Sequence, residues 1–182
     1  MRTSSLSQNT RKMVKMAMMV AISCVLVVLI RIPFPPAPFL VYDPADIPIY
    51  ITAFAFGPVA GVLVTLIVSL IQAFVLGGDG VYGFIMHFIA TGALAFIIGM
   101  MYNKNKTRKT AVISLIVGVL TMTVIMCIMN LVVTPAFLGI PVEAVKPMIL
   151  TIIVPFNLLK GGVNAIITFL VYKRISSFLH HE

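Results

Sequence analysis

Charged side chains are scarce in this sequence. Only 10% of its 182 residues are Asp, Glu, Lys or Arg, whereas 60% are hydrophobic. A soluble domain is typically about 25% charged and about 45–50% apolar, so this composition excludes an ordinary soluble globular domain. We predict a single, all-α integral membrane domain that covers residues 1–182.

The sequence also lacks the short motifs of several enzyme classes. It contains no Gly-x-x-x-x-Gly-Lys-[Ser/Thr] phosphate loop and no His-Glu-x-x-His zinc motif. Its two cysteines, Cys24 and Cys127, lie inside apolar runs, which is typical of small buried hydrophobes and not of a disulfide or metal pair. Tyr42-Asp43 and Gly77-Gly78-Asp79 resemble the motif pair of intramembrane aspartyl proteases only weakly, because both aspartates map to loops. We therefore expect no catalytic residue, no metal and no cofactor.

Positive charge is present, but in three clusters. The net charge of +8 comes mainly from Arg2, Arg11, Lys12 and Lys15, from Lys104, Lys106, Arg108 and Lys109, and from Lys173 and Arg174. Basic residues beside apolar runs mark the cytoplasmic ends of membrane spans. The clusters therefore predict topology and contact with lipid headgroups, and no nucleic acid is expected as a partner.

The number of spans depends on the apolar run 45–76, which Gly57-Pro58 interrupts. It is either one long kinked helix or two helices. If all three basic clusters are cytoplasmic, the number of passes between neighbouring clusters must be even, and only two passes in this run satisfy that condition. We predict six transmembrane helices with both termini in the cytoplasm and a short second helix, at about 13–32, 45–56, 59–76, 83–101, 111–132 and 148–171. The first run is longer than the apolar core of a signal peptide, so we interpret it as a retained span.

The connector 33–44 after the first span is rich in proline and aromatic residues. The stretch Arg31–Pro44 holds five prolines, which exclude a regular helix. Its apolar composition favours a lid that packs over the outer end of the bundle, and the alternative is a connector that proline merely stiffens.

The last span carries polar residues where lipid-facing residues would suffice. Lys160 lies near its middle, and a lysine at that depth costs about 2.5–3.5 kcal/mol on insertion scales. Asn157 and Asn164 lie three residues before it and four after it, so all three share one helical face. This face predicts a substrate or ion site, or else a structural network of hydrogen bonds between helices.

Other polar residues could meet that face. Gln72, His87 and Asn130 lie in separate spans, and Tyr42, Asp43 and Asp46 lie in or beside the predicted lid. Together they predict a mostly apolar cavity, open to the outside, that would suit a flat heteroaromatic ring. His87 and Gln72 could instead only join helices.

Four motifs together identify a resemblance to a known family. They are Ala17-Met18-Met19-Val20-Ala21, Tyr42-Asp43-Pro44-Ala45-Asp46-Ile47-Pro48, Phe56-Gly57-Pro58-Val59-Ala60-Gly61 and Pro155-Phe156-Asn157-Leu158-Leu159-Lys160. The chain resembles the substrate-binding S components of energy-coupling factor (ECF) vitamin transporters from about residue 13 to 174, and is most similar to the riboflavin-specific members. The resemblance implies a multi-pass protein of a prokaryotic cell membrane. It would carry riboflavin as its transported ligand and dock on a transmembrane coupling subunit with two ATPase subunits.

The resemblance also implies roles for individual residues. Asn130, Asn157 and Lys160 match residues that hold the flavin ring, and Tyr42 matches the lid residue beside it. Asp46 matches a ligand-contacting acid, although it could instead only cap the second helix. The docking motif of the family matches Ala17 and Ala21. Asp43, Gln72 and Asn164 are further candidates, the last two without a family match. An S component for another vitamin, or a membrane protein without a transport role, remains the alternative.

Overall fold

Six helices of at least 11 residues carry most of the chain in the computed structural model, which describes the backbone of residues 2–77 and 79–180 and the side chains of 8–77, 79–172 and 174. Gly78, within the glycine-rich stretch above, lies outside the described residues, as do the side chains of Arg2 and Lys173 from the basic clusters. The helices are α1 (Arg2–Leu29), α2 (Asp46–Phe56), α3 (Pro58–Phe74), α4 (Gly80–Lys104), α5 (Arg108–Leu138), the short α6 (Val142–Met148) and α7 (Val154–His180).

Four helical segments are long and apolar enough to cross a membrane. They are Gln8–Leu29, Gly80–Lys104, Arg108–Leu138 and Val142–Tyr172. The helices α2 and α3 are apolar but shorter, with 11 and 17 residues. Every residue of α2 from Asp46 to Phe54 is buried, so the short second helix lies inside the bundle and the longer helices surround it.

The predicted lid is a β-hairpin. Strand β1 (Ile32–Phe34) pairs antiparallel with β2 (Ala37–Tyr42), and Ile32 lies opposite Tyr42. The predicted helical membrane fold is observed, and this hairpin is the one sheet among the described residues. Proline is tolerated at the edges of a two-stranded ribbon because no central ladder needs its missing N–H group. One face of the hairpin is apolar and packs on α6 and the start of α7 through Leu40, Val145 and Phe156.

The segment after the fifth span is more helical than predicted. The predicted spans at 111–132 and 148–171 left a short connector between them, whereas α5 continues to Leu138 and α6 follows at Val142. Pro135 lies inside α5. A proline removes one hydrogen bond of a helix but does not always end the helix. The stop is Gly139, which adopts φ +66° and donates its N–H to the carbonyl of Pro135, as helix-ending glycines do.

A π-helical segment, Ile149–Ile153, joins α6 to α7. Such segments are rare and are often found at functional sites. Here it ends one turn before Asn157, the first residue of the polar face of α7.

Glycines allow α2, α3 and α4 to cross closely. Gly57 joins α2 to α3 with φ +89°, a backbone conformation that other residues rarely adopt. A Cβ atom added at Gly99 would lie 2.7 Å from the backbone of Pro58, and one at Gly61 would lie 2.7 Å from the Cβ of Ala53. These contacts hold the three helices against one another at the C-terminal end of α2, away from Asp46.

Candidate functional site

An ion pair between the hairpin end and α7 lies at the centre of the site. Lys160 Nζ is 2.8 Å from Asp43 Oδ2, and their side chains are 15% and 3% exposed. Asp43 Oδ1 accepts the backbone N–H of Ala45 at 3.1 Å, and Gln72 donates to Asp43 Oδ2 at 3.4 Å. Each oxygen of this buried carboxylate thus has a partner, and the partner of Lys160 is found 117 residues earlier in the chain.

Asn164 connects three polar groups. Its amide nitrogen donates to the backbone carbonyl of Asp43 at 3.2 Å and to Asp46 Oδ2 at 3.3 Å, and its oxygen accepts the Tyr42 hydroxyl at 3.1 Å. Burial raises the pKa of the Tyr42 phenol, so the hydroxyl keeps its proton and donates. One buried asparagine therefore ties the hairpin and the start of α2 to α7.

Asp46 points into the bundle and does not cap α2. The N-cap residue is Ala45, and no side chain caps the helix. Asp46 is fully buried, and its Oδ1 lies 2.9 Å from His87 Nε2 on α4. The capping role considered for Asp46 is thus not observed, and the carboxylate belongs to the polar network.

The other two candidate asparagines, Asn130 and Asn157, lie on α5 and α7. Asn130 and Asn157 each donate one amide hydrogen to the carbonyl four residues earlier, on Met126 at 2.7 Å and Ile153 at 2.8 Å. The oxygen of Asn130 also accepts the Thr134 hydroxyl at 2.8 Å. An asparagine amide has two N–H groups, so each side chain is held in place and keeps one donor.

These elements enclose a cavity of about 150 Å³. Seven of the polar residues named from the sequence line it, namely Asp43, Asp46, Gln72, His87, Asn130, Asn157 and Lys160. Tyr42 and Asn164 are not among the lining residues; Asn164 contacts Asp43 and Asp46, and Tyr42 contacts Asn164. The structure therefore brings all nine residues together but divides them into a lining group and a supporting group.

Part of the cavity lining is apolar. It is formed by Met86, Met122, Met126, Phe39, Phe137 and Phe156. These residues were not predicted from the sequence, although Met122, Met126 and Asn130 are spaced four apart and must share a face of α5. A cavity lined by both polar and apolar side chains fits a flat ligand with polar edges.

The cavity lining also includes a second pair of charges, Arg31 and Asp79, which was not predicted from the sequence. Arg31 donates to the carbonyls of Leu76 and Gly77 at 3.1 and 3.0 Å, at the end of α3. Asp79 lies nearby at the start of α4. Burial raises the pKa of its carboxyl, and the Arg31 guanidinium partly opposes that shift.

Ala17 and Ala21 lie outside the cavity lining. Both are exposed on α1, beside Met18 and Ile22, which are 45% and 42% exposed. This outward face of α1 is apolar and has small residues one turn apart. Among the described residues, no group of three or more His, Cys, Asp or Glu side chains could hold a metal ion.

Comparison with known proteins identifies the family. A family model described as "ECF transporter, substrate-specific component" matches residues 11–172. The riboflavin transporter RibU of Staphylococcus aureus (strain TCH60) is 31% identical, with 94% of each chain covered. The riboflavin transporter FmnP of Bacillus subtilis (strain 168) is also 31% identical, with 96% of each chain covered.

A solved structure, "Structure and mechanism of the S component of a bacterial ECF transporter", has the same fold. Its TM-score is 0.80 and its sequence identity is 32%, and the match covers 96% of this chain and 99% of that one. The predicted resemblance is thus confirmed, including the expectation of a membrane transport subunit and not an enzyme. The chain belongs to the substrate-specific components of ECF transporters.

Proposed function

We propose that this chain is the riboflavin-binding subunit of an ECF-type vitamin uptake transporter. It would take riboflavin from outside and release it inward while docked on an ATP-driven energising module. Two relatives at 31% identity are named riboflavin transporters. The observation that carries the proposal is the cavity, which is lined both by Lys160 and asparagine amides and by methionine and phenylalanine side chains.

The chemistry of the cavity suits the isoalloxazine ring. Its pyrimidine edge has carbonyl and imino groups, which Lys160 and the free N–H groups of Asn130 and Asn157 would engage. Gln72 Oε1 is buried and has no hydrogen-bond partner among the described residues. A buried acceptor without a donor costs about 1–3 kcal/mol, so a ring N–H of the ligand would offset that cost. The apolar edge of the ring would contact Met122, Met126 and Phe156.

A titration of the purified protein with riboflavin tests this proposal. Binding should quench flavin fluorescence and raise the melting temperature, because a ligand that binds only the folded state stabilises it. Thiamine and biotin at the same concentrations serve as controls, and flavin mononucleotide tests whether a phosphate is accepted. Absence of quenching and of thermal stabilisation with riboflavin would refute the proposal, and stabilisation by another vitamin would redirect it.

The proposed docking site for the coupling subunit is the exposed face of α1 around Ala17 and Ala21. Small residues one turn apart let a second helix approach closely in a membrane. Replacing both alanines with leucine should abolish riboflavin uptake by cells while binding by the purified protein is retained. Val28→Leu on the same helix, at a side chain 66% exposed, is the matched control. Normal uptake by the double variant would place the interface elsewhere.

We further propose that the single membrane domain crosses the membrane six times, with both termini in the cytoplasm. The positive-inside pattern and the two apolar helices α2 and α3 support this count. In a protein whose own cysteines are replaced by alanine, Thr107→Cys should react with a thiol reagent only after the membrane is opened. Glu143→Cys should react from outside in intact cells, and the reverse pattern would overturn the orientation.

A further inference from the structure

The cavity reaches solvent where three of its lining residues are exposed. These are Arg31, Asp79 and Tyr82, and every other lining residue is buried or partly buried. Arg31 lies just before the hairpin, Asp79 directly precedes α4, and Tyr82 lies in the first turn of that helix. We call these three residues the mouth of the cavity. Two of the proposed ring contacts, Asn130 and Asn157, are 0% and 2% exposed, so the ring would lie inside and the rest of the ligand would point towards the mouth.

The Asp79 carboxylate at the mouth is not used by its own helix. Aspartate is a favoured N-cap residue because its carboxylate accepts a free N–H group of the first turn. Asp79 is the N-cap residue of α4, yet its side chain makes no cap hydrogen bond, and no ion pair among the described residues includes it. Its side chain lies beside Gly83, where an added Cβ atom would be 3.1 Å from Asp79 Cβ and 3.8 Å from Oδ2. The fold therefore places an acceptor at the mouth and leaves it available.

Arg31 supplies hydrogen-bond donors at the same mouth. Its two terminal nitrogens donate to the carbonyls of Leu76 and Gly77 at 3.1 and 3.0 Å, which holds the guanidinium against the turn between α3 and α4. A guanidinium has five N–H groups, so three of them remain for other partners. The Arg31 charge also acts on Asp79, because it opposes the rise that burial causes in the pKa of that carboxyl.

A fixed donor and a fixed acceptor at one mouth suit a ligand with hydroxyl groups. A hydroxyl both donates and accepts, so neighbouring hydroxyls can donate to Asp79 and accept from Arg31, and hydrogen bonds to charged groups are the stronger ones. The ring of Tyr82 lies 5.8 Å from that of Phe137, and this aromatic pair offers a surface to C–H groups. Riboflavin carries such a chain of hydroxylated carbons, the ribityl chain, which the ring contacts proposed above leave without partners.

The mouth and the buried ion pair both adjoin the hairpin. Ile32 lies opposite Tyr42, so Arg31 and Asp43, which adjoin that pair of residues, lie at the same open end of the hairpin. Asp43 is bonded to Lys160. A ring held at Lys160 and a short chain that leads to Arg31 would therefore follow one end of one hairpin.

We propose that Arg31 and Asp79 form a subsite for the hydroxylated chain of the ligand, with Asp79 accepting from its hydroxyls and Arg31 donating to them. This inference rests on the proposed function and extends it, because the ring would enter first and the chain would stay at the mouth. The subsite would favour riboflavin over flavin rings that lack the chain. If the pair only stabilised the turn between α3 and α4, its loss would affect the binding of every flavin equally.

Lumiflavin, which has a methyl group in place of the ribityl chain, separates the two parts of the ligand. Both flavins are titrated by fluorescence against the wild-type protein, Asp79→Ala and Arg31→Gln. The wild type should bind riboflavin more tightly than lumiflavin. Asp79→Ala should lower riboflavin affinity about tenfold, the size of one hydrogen bond, and should change lumiflavin affinity by less than about twofold. Its melting temperature should not fall, because the carboxylate has no partner among the described residues, whereas Arg31→Gln also loosens the turn.

Gly83→Ala tests the same carboxylate without removing it. The new Cβ would shift the Asp79 side chain, so riboflavin should again lose affinity and lumiflavin should not. Glu143→Ala is the control, because this acid is 76% exposed at its side chain and does not line the cavity. Equal losses for both flavins in Asp79→Ala, or an unchanged riboflavin affinity, would overturn the subsite and leave the proposed function intact. If the wild-type protein binds neither flavin, the proposed function itself fails and the subsite fails with it.

Discussion

The two halves of the bundle bury different kinds of groups. The cavity half, built around Asp43, Asp46 and Lys160, encloses carboxylates, amides and cations beside an open space of about 150 Å³. The packed half, built around Gly99 and Phe54, has helices in direct backbone contact. There the ring of Phe54 lies 4.7 Å from that of Tyr102 and 5.2 Å from that of Tyr172.

The short helix α2 runs through both halves and explains the difference. Its first residue, Asp46, is part of the polar network, and Phe54, eight residues later, is in the aromatic cluster. Since all residues between them are buried, α2 has no lipid-facing or water-facing side. The cavity half can leave space for a ligand because the packed half holds α2 in place.

Lys160→Met should have the largest effect, and it should fall on the cavity half. It leaves the Asp43 carboxylate buried without its cation, and breaking a buried pair in this way costs about 3–5 kcal/mol. We expect riboflavin affinity to fall by about a hundredfold or more and the melting temperature to fall as well. The double variant Lys160→Met/Asp43→Asn should recover part of the melting temperature. A double variant no more stable than the single one would show that the pair is not what stabilises this region.

Gly99→Ala should act on the packed half alone. The new Cβ would meet the Pro58 backbone at 2.7 Å, and overpacking of this kind costs about 1–3 kcal/mol. The melting temperature should therefore fall while riboflavin affinity of the folded protein changes little. Gly162→Ala is the control, because a Cβ there would meet nothing within 4 Å. A large loss of affinity in Gly99→Ala would mean that the two halves are coupled more tightly than their contacts indicate.

Asn157→Ala should weaken binding without a comparable loss of stability. Its amide keeps one N–H free for the ligand, and the loss of such a hydrogen bond corresponds to about tenfold in affinity. Asn105→Ala, in the exposed α4–α5 connector, is the control for a surface asparagine. Wild-type affinity in Asn157→Ala would remove this residue from the binding site.

Tyr42→Phe should have the smallest effect of the four. The change removes only the 3.1 Å hydrogen bond to Asn164. This bond stabilises the hairpin, and the Tyr42 side chain does not line the cavity. We expect a loss of a few-fold in riboflavin affinity, corresponding to about 0.5–1 kcal/mol, measured by the same fluorescence titration. A loss as large as that of Asn157→Ala would indicate that Tyr42 contacts the ligand directly.

Local signals in the sequence predicted much of the fold. The apolar runs located the helices, and Gly57-Pro58 located the junction between α2 and α3. Proline was a less reliable signal. It correctly excluded a regular helix at 33–44 but did not predict the hairpin that forms there, and Pro135 lies inside α5 without ending it. Proline constrains one dihedral angle and one hydrogen bond, and the surrounding packing decides what the chain does with that constraint.

The polar residues show the limit of sequence reasoning most clearly. It follows from the sequence alone that Asn157, Lys160 and Asn164 share a helical face and that a lysine there needs a partner. The packing of the helices shows that the partner is Asp43, that Asn164 supports the site without lining the cavity, and that His87 contacts Asp46. Which residues share a helical face follows from the 3.6-residue period of the helix, so a short stretch of sequence is enough to predict it. The partners lie 41 to 118 residues apart, and their meeting depends on how every helix between them packs.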